Sequence, residues 1–270
     1  MRYDKVALFT DLDGTLFNSD RKVSCENRRA IERFIAGGGH FGISTGRAPD
    51  NALNMLPGLS INSWSVVLNG AEAYHFLEER ATAQSCLPKN DMEELLRWVY
   101  KELPEVNIQL CTDNELLFLS RTQFADSDFV SSHQPMRETT IDEALMYPWM
   151  KVLFCASRKT LVKLHQHAAE QRMTEIMDSV YTNEVYLEFL PICTNKGSCL
   201  HLLRGQPEMA DKVFIAVGDY TNDIELLQEA DVAVAVGNAL DEVKEVADHI
   251  ICTNDEHAIA YLINELIPKL

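Results

Sequence analysis

The chain has 270 residues, 46% hydrophobic and 24% charged, which is enough to bury the core of one large domain or of two smaller ones. Its formal net charge of −17 would repel phosphate backbones and anionic lipids, which excludes a general role in binding nucleic acids or membranes. An anionic substrate would therefore need local compensation from a metal ion or from a few basic side chains.

Several features are typical of a cytoplasmic protein. The amino-terminal residues run directly into a strand-like segment that is too short for a signal peptide, and no stretch reaches the ~20 apolar residues of a membrane span. The seven cysteines are scattered without a Cys-x-x-Cys pair, which indicates reduced thiols. His165 and His167 lie two apart on a predicted helix, so they point to different faces and are not expected to bind zinc together.

Six apolar runs, each ending in polar or glycine-rich residues, are predicted to form strands. They span residues 6–10, 40–44, 65–68, 213–217, 232–236 and 250–253. Continuous hydrophobicity is typical of strands that are buried on both faces of a parallel sheet. Amphipathic stretches lie between the strands, for example at residues 25–36 and 222–229. This order predicts an α/β fold with a doubly wound parallel sheet.

The middle of the chain has a different pattern. Helices are predicted at residues 91–102 and 159–171, and strands at 107–111, 115–120, 149–156 and 185–190. Such an order is typical of an α+β domain with an antiparallel sheet. We therefore predict a core domain of residues 1–82 and 194–270, and an inserted domain of residues 83–193.

The first predicted strand leads into Asp11-Leu12-Asp13-Gly14-Thr15. Residues two apart on an extended chain face the same side, so one carboxylate can attack phosphorus while the other protonates the leaving oxygen. Gly14 would let the chain turn sharply and bring backbone N–H groups near a phosphate. By itself the segment is equally compatible with a plain turn. A calcium loop is excluded, because the residues that follow do not supply the other EF-hand ligands.

A second acidic segment, Gly218-Asp219-Tyr220-Thr221-Asn222-Asp223, follows a very apolar strand. Two acids and an amide in this place are costly unless they bind something, and a hard cation suits oxygen ligands. The alternative is a helix start that is capped by Thr221 or Asn222.

Two weaker segments complete the set. In Ser44-Thr45-Gly46-Arg47 a hydroxyl and a glycine precede a helix and could donate to phosphate, although Thr45 could equally be a helix cap. Arg47 could anchor an anion or pair with a surface acid. Lys196 opens a helix, where the helix dipole disfavours a cation, so either an anion lies nearby or Lys196 is an ordinary surface lysine. Because the carboxyl ends of parallel strands meet at one sheet edge, these segments and Asn69 are expected to converge on one crevice.

Together the four segments resemble the motifs of the haloacid dehalogenase (HAD) superfamily of phosphatases, and specifically its Cof-like branch. The matching residues, in the family's order, are Asp11 to Thr15, Thr45 to Arg47, Lys196-Gly197 and Gly218 to Asp223. Residues 68–71, 187–191 and 234–239 add further similarity, so the resemblance spans nearly the whole chain. The departures, at Ser44 and within residues 227–236, bear on the subfamily and not on the catalytic positions.

The resemblance implies a Rossmann-like HAD core with a large α+β cap inserted between the second and third motifs. It implies that Asp11 is the nucleophile, which forms an aspartyl-phosphate, and that Asp13 is the general acid/base. The implied Mg²⁺ site comprises Asp11, the backbone carbonyl of Asp13, Asp219 as a direct ligand and Asp223 in support. The implied phosphoryl-binding residues are Thr45, Gly46, Lys196 and Asn222.

The predicted function is that of a Mg²⁺-dependent phosphatase acting on small phosphorylated metabolites, with sugar phosphates favoured, as a monomer or homodimer. A phosphomutase that passes the phosphoryl group to a second hydroxyl is an open alternative. A non-catalytic sensor would be expected to lack Asp11, Asp13 or Asp219, and all three are present. The Gly-x-Gly-x-x-Gly of dinucleotide-binding oxidoreductases does not follow the first strand, and the P-loop motif is absent. Tyr147, Trp149, Arg121 and Glu184 could contact substrate from the cap, or could be core or surface residues.

Overall fold

The computed structural model describes residues 1–112, 115–120 and 136–270. It divides into two compact units, a core unit of Met1–Ala83 with Asn195–Leu270, and an inserted unit of Gln84–Thr194. Among the described residues, the helices are all too short or too polar to cross a membrane.

The strands and helices are numbered in chain order. The strands are β1 (Val6–Thr10), β2 (His40–Ile43), β3 (Trp64–Val67), β4 (Glu72–His75), β5 (Arg80–Gln84), β6 (Asn107–Cys111), β7 (Leu116–Ser120), β8 (Met136–Glu138), β9 (Lys151–Cys155), β10 (Met177–Asn183), β11 (Tyr186–Pro191), β12 (Val213–Gly218), β13 (Val232–Ala235) and β14 (His249–Ile250). The helices are α1 (Cys25–Ala36), α2 (Pro49–Met55), α3 (Lys89–Glu102), α4 (Ile141–Ala144), α5 (Arg158–Glu170), α6 (Lys196–Leu203), α7 (Ile224–Glu229), α8 (Asp241–Val246) and α9 (Ala258–Tyr261).

The core unit is built on a five-stranded sheet in the order β14-β13-β12-β1-β2. All four pairings in this sheet are parallel, which confirms the predicted α/β fold with a parallel sheet. The residues of β1 are buried from end to end, as the continuous apolar run predicted. Because β1 lies between β12 and β2, the chain segments that leave these three strands emerge side by side.

The predicted strand at residues 65–68 has a different place from the other core strands. It corresponds to β3, which pairs antiparallel with β4 in a separate three-stranded sheet with β5. A parallel bridge between Ser44 and Val66 still joins β3 to the end of β2. The last predicted strand is also shorter than expected, since β14 ends at Ile250.

Helix α1 has the predicted bounds, and its ends have clear causes. The side chain of Ser24 accepts a hydrogen bond from the backbone N–H of Asn27, which caps the first turn. Ala30, Ile31 and Phe34 are buried at helical spacing, so one face of α1 packs into the core while the other faces solvent. Gly37 follows the last residue and ends the helix.

The inserted unit contains a six-stranded sheet in the order β10-β11-β9-β6-β7-β8. Its pairings are antiparallel except for β7 with β8, which is parallel. One face of the sheet packs against α3 and α5 around Trp149, Phe154 and Leu96. Strand β10 is not predicted from the sequence, because Asp178, Ser179 and Thr182 interrupt its apolar pattern. It lies at the edge of the sheet, where polar residues are tolerated.

The four residues considered as substrate contacts from the insert differ in their surroundings. Trp149 is fully buried in the core of the inserted unit and its indole N–H donates to the carbonyl of Ala144, so it is a core residue. Tyr147 is partly buried and packs against the same core. Glu184 is exposed, and Arg121 lies outside the described residues.

Candidate active site

The candidate site lies in the core unit, at the carboxyl ends of β1, β2 and β12. The backbone N–H of Asp11 still donates to the carbonyl of Val217 at 2.9 Å, so Asp11 leaves β1 beside the end of β12. Asp219 follows β12 directly, and Thr45 lies two residues beyond β2. The parallel register thus brings residues that are more than 200 positions apart in sequence to one edge of the sheet.

Lys196 is the buried centre of this site. It is the first residue of α6 and is only 1% exposed, so its interpretation as an ordinary surface lysine is wrong. Its Nζ donates to Oδ1 of Asp11 and to Oδ1 of Asp223, both at 2.6 Å. The anions that its position at a helix start indicates are therefore these two carboxylates.

The loop after β12 is held together by the carboxylate of Asp223. Its Oδ2 accepts hydrogen bonds from the backbone N–H groups of Asp219 at 2.9 Å and Tyr220 at 3.3 Å. A Cβ at Gly218 would lie 2.4 Å from the Cβ of Asp223, so the close approach requires glycine. The residue that precedes α7 is Asp223, so capping of that helix by Thr221 or Asn222 does not explain the motif.

Three carboxylates form a group that could hold a metal ion. Asp11, Asp219 and Asp223 each offer an oxygen, and these atoms all lie within 4.8 Å of one another. The hydroxyl of Thr15 donates to Oδ1 of Asp219 at 2.6 Å, which fixes the direction of that carboxylate. Hard oxygen donors of this kind suit a divalent cation such as Mg²⁺.

The electrostatics of the group favour an added cation. Burial, with the charge of Asp223, raises the pKa of Asp219 to about 7. Burial also raises the pKa of Asp11 well above its ordinary value, and Lys196 opposes this only in part. Burial alone would lower the pKa of Lys196, but its two carboxylate partners outweigh this effect and raise it, so the lysine stays charged. One lysine therefore does not neutralise the buried carboxylates, and a divalent cation would complete the balance.

Asp13 has a different environment from the three clustered carboxylates. Its side chain is 48% exposed, and both of its oxygens accept hydrogen bonds from Arg47 at 2.8 Å. Gly14 turns the chain at once, with φ of +82°, and a Cβ there would lie 2.4 Å from Oδ2 of Asp219. A metal contact through the backbone carbonyl of Asp13, as the resemblance implies, stays a prediction.

The expected phosphoryl-binding residues lie around the same edge. Thr45 is buried, and its hydroxyl accepts a hydrogen bond from the backbone N–H of Arg47 at 3.2 Å. Gly46 lies against the side chain of Asn69. The amide of Asn222 donates to Oδ1 of Asn69 at 3.0 Å, so both asparagines reach the edge where the sequence places them.

Some contributing residues have no specific partner assigned by the sequence, which for Arg47 predicts either an anion or a surface acid. Thr15 orients Asp219, Arg47 pairs with the motif residue Asp13, and the amide of Asn238 donates to the carbonyl of Gly14 at 2.8 Å. All three lie within segments that already match the family. Their residue types alone did not indicate which partner each would contact.

The comparisons with known proteins concern the family and the fold of the whole chain. The model of the haloacid dehalogenase-like hydrolase family matches residues 8–263. A phosphatase of Bacillus subtilis, YwpJ, is 28% identical, and the alignment covers 95% of this chain and 98% of YwpJ. The 5-amino-6-(5-phospho-D-ribitylamino)uracil phosphatase YcsE of the same organism is also 28% identical, over 95% of this chain and 94% of YcsE.

A solved structure, that of a HAD subclass IIB sugar phosphatase, superposes with a TM-score of 0.81 at 20% identity. The match covers 96% of this chain and 97% of that one. The family model, the full-length relatives and the shared fold give one answer. This chain belongs to the haloacid dehalogenase-like hydrolase family.

Proposed function

We propose that the chain is a Mg²⁺-dependent phosphatase that hydrolyses small phosphorylated metabolites through an aspartyl-phosphate on Asp11. The observation that carries the proposal is the buried network in which Lys196 bridges Asp11 and Asp223 while Asp219 lies within metal-binding distance of both. A buried lysine among carboxylates is a costly arrangement for stability alone, because several charges must be desolvated. Binding of a phosphate and a cation at this site would explain why the buried lysine and carboxylates are present.

Asp11, Asp219 and Asp223 would hold Mg²⁺, which when bound would neutralise charge on the phosphoryl oxygens. Asp11 attacks phosphorus, the bond from phosphorus to the ester oxygen breaks, and Asp13 gives that oxygen a proton. In the second step a water oxygen attacks phosphorus, its proton passes to Asp13, and the bond to Asp11 breaks to release phosphate. Lys196 and Thr45 would hold the phosphoryl oxygens throughout, with Gly46 and Asn222 beside them.

For the substrate we propose a phosphate carried on a sugar or a sugar-like chain. The name of YcsE describes a phosphate on a ribityl chain, and the HAD subclass IIB structure is that of a sugar phosphatase. The net charge of −17 opposes nucleic acids and anionic membranes as partners. The inserted unit is the part of the chain to which we assign substrate selection, and a monomer or homodimer in the cytoplasm is the form we expect.

The test is a phosphate-release screen over phosphorylated sugars and other metabolites, with Mg²⁺ present and after exhaustive chelation. Asp11→Asn should abolish release, whereas Asp4→Asn is the matched control, since Asp4 is an exposed acid before the other end of β1. Undiminished turnover by Asp11→Asn would overturn the mechanism, and full activity after chelation would overturn the metal's role. Appearance of label on a second hydroxyl of a labelled sugar phosphate, in place of free phosphate, would identify a mutase.

A further inference from the structure

We propose that Arg47 is a positioning residue for Asp13 and not an anchor for the phosphate. Arg47 orients the carboxylate of Asp13 for the second step of the reaction. This inference rests on the proposed function. It starts from the paired contact in which Nε and Nη2 of Arg47 each donate to a different oxygen of Asp13, both at 2.8 Å. Such a fork fixes the plane of a carboxylate as well as its distance.

Arg47 is itself held in place from several directions. Its Nη1 donates at 2.8 Å to Oδ1 of Asn51, a buried residue of α2. Its backbone N–H donates to the hydroxyl of Thr45, and its backbone carbonyl accepts from Leu68 at 3.0 Å. The guanidinium side chain is 18% exposed. The arginine is therefore a fixed element against which a more mobile side chain can be oriented.

Asp13 is the side chain that needs such orientation. It is 48% exposed, and its side-chain oxygens are not among those of the three clustered carboxylates. An exposed carboxylate without a fixed partner would sample several rotamers, and misplacement of about 1 Å can cost ~100-fold in rate. The fork removes this freedom.

The charge of Asp13 in each step indicates that orientation by Arg47 matters most in the second step, the hydrolysis of the aspartyl-phosphate. After Asp13 has given its proton to the leaving oxygen, it is a carboxylate, and that is the form a guanidinium fork binds. In the next step this carboxylate takes a proton from water as the water oxygen attacks phosphorus and the bond to Asp11 breaks. Loss of the fork should thus slow hydrolysis of the aspartyl-phosphate more than its formation.

The experiment uses p-nitrophenyl phosphate, whose leaving group departs without a proton, and compares the wild type with Arg47→Lys and Arg47→Gln. We expect kcat to fall ~10- to 100-fold, less in the lysine variant, because general-base catalysis contributes about 10²–10⁴-fold. Rapid mixing should show a burst of p-nitrophenolate close to one per enzyme, with phosphoenzyme accumulating. Binding of inorganic phosphate with Mg²⁺, measured by calorimetry, should change less than about threefold.

The matched control is Arg2→Lys, because Arg2 makes the same forked contact with Asp4, an exposed acid. It should leave burst, kcat and thermal unfolding unchanged. If Arg47 anchored the phosphate, its variants would show a raised KM, weaker phosphate binding and no burst, and the inference would be wrong. A variant that unfolds earlier but keeps the wild-type kcat would also refute it. Absence of any turnover by the wild type would instead refute the proposed function.

Discussion

Replacing Lys196 by methionine should destabilise the protein strongly, and the loss should depend on pH. Methionine fills much of the same volume but leaves Asp11 and Asp223 without the Nζ that now lies 2.6 Å from each. Removing one partner of a buried ion pair costs about 3–5 kcal/mol, because the remaining charge stays desolvated. We expect a loss of this size in the free energy of unfolding near neutral pH.

The sign of the pH dependence follows from the carboxylates. The pKa of Asp11 is already raised in the folded protein, and loss of the lysine would raise it further. A carboxyl group with a raised folded pKa contributes stability at low pH that is lost as the pH rises. The deficit of the variant should therefore be smaller near pH 5 than near pH 8, where the carboxylates would have to stay ionised.

Urea unfolding of metal-free protein at both pH values measures this deficit directly. Lys269→Met is the control, since Lys269 is exposed and its ion pair with Glu265 should contribute less than about 1 kcal/mol. A deficit below about 1 kcal/mol, or one equal at both pH values, would refute the reasoning about the buried network.

Three further predictions concern the rest of the site. Asp219→Asn should make the metal-free protein more stable above about pH 7, because it removes the fall in stability that the raised pKa of Asp219 causes as the pH rises. Unfolding curves with and without Mg²⁺ would show this, and an unchanged pH profile would contradict it. Gly14→Ala should lower the free energy of unfolding by ~2 kcal/mol or more and kcat at least tenfold, because φ is +82° and the new Cβ meets Asp219. The control is Gly58→Ala, where φ is +70° but the nearest neighbour of the new Cβ is 3.8 Å away, so only the backbone strain is added. Equal effects of the two substitutions on kcat would contradict the clash with Asp219. Thr15→Val should weaken Mg²⁺ binding ~10-fold, as calorimetry can test, because the hydrogen bond that orients Asp219 is lost; unchanged affinity would show that this bond does not prepare the site.

The sequence predicted the parts of the fold that repeat a simple pattern. The uninterrupted apolar run of β1 identified a strand buried on both faces, and the amphipathic stretch at residues 25–36 gave the bounds of α1. Strand β10 was missed because polar residues at a sheet edge give no apolar signal, and β3 was placed in the wrong sheet because a short buried run does not reveal its partners. Strand pairing is a property of the whole fold, and local sequence does not encode it.

At the site, the motifs predicted which residues lie together but not which side chain contacts which partner. The sequence treated Asp11 and Asp13 as a pair facing one side. The structure places Asp11 with Asp219 and Asp223 around Lys196, and joins Asp13 to Arg47. The chain turns over Leu12–Leu16, directly after Asp11, so Asp13 does not continue the extended strand. Gly14 in this turn lies against Asp219, a residue about 200 positions away. Side-chain partners of this kind follow only from tertiary structure.

The most direct test of the account is the identification of the phosphorylated residue. The Asp13→Asn variant, which should form the aspartyl-phosphate from p-nitrophenyl phosphate but hydrolyse it slowly, is quenched in acid during turnover and digested for mass spectrometry. We predict one phosphoryl group on the peptide that contains Asp11, and conversion of Asp11 to homoserine after borohydride reduction. A phosphoryl group on another residue, or turnover without any labelled peptide, would contradict the assignment of Asp11 as the nucleophile.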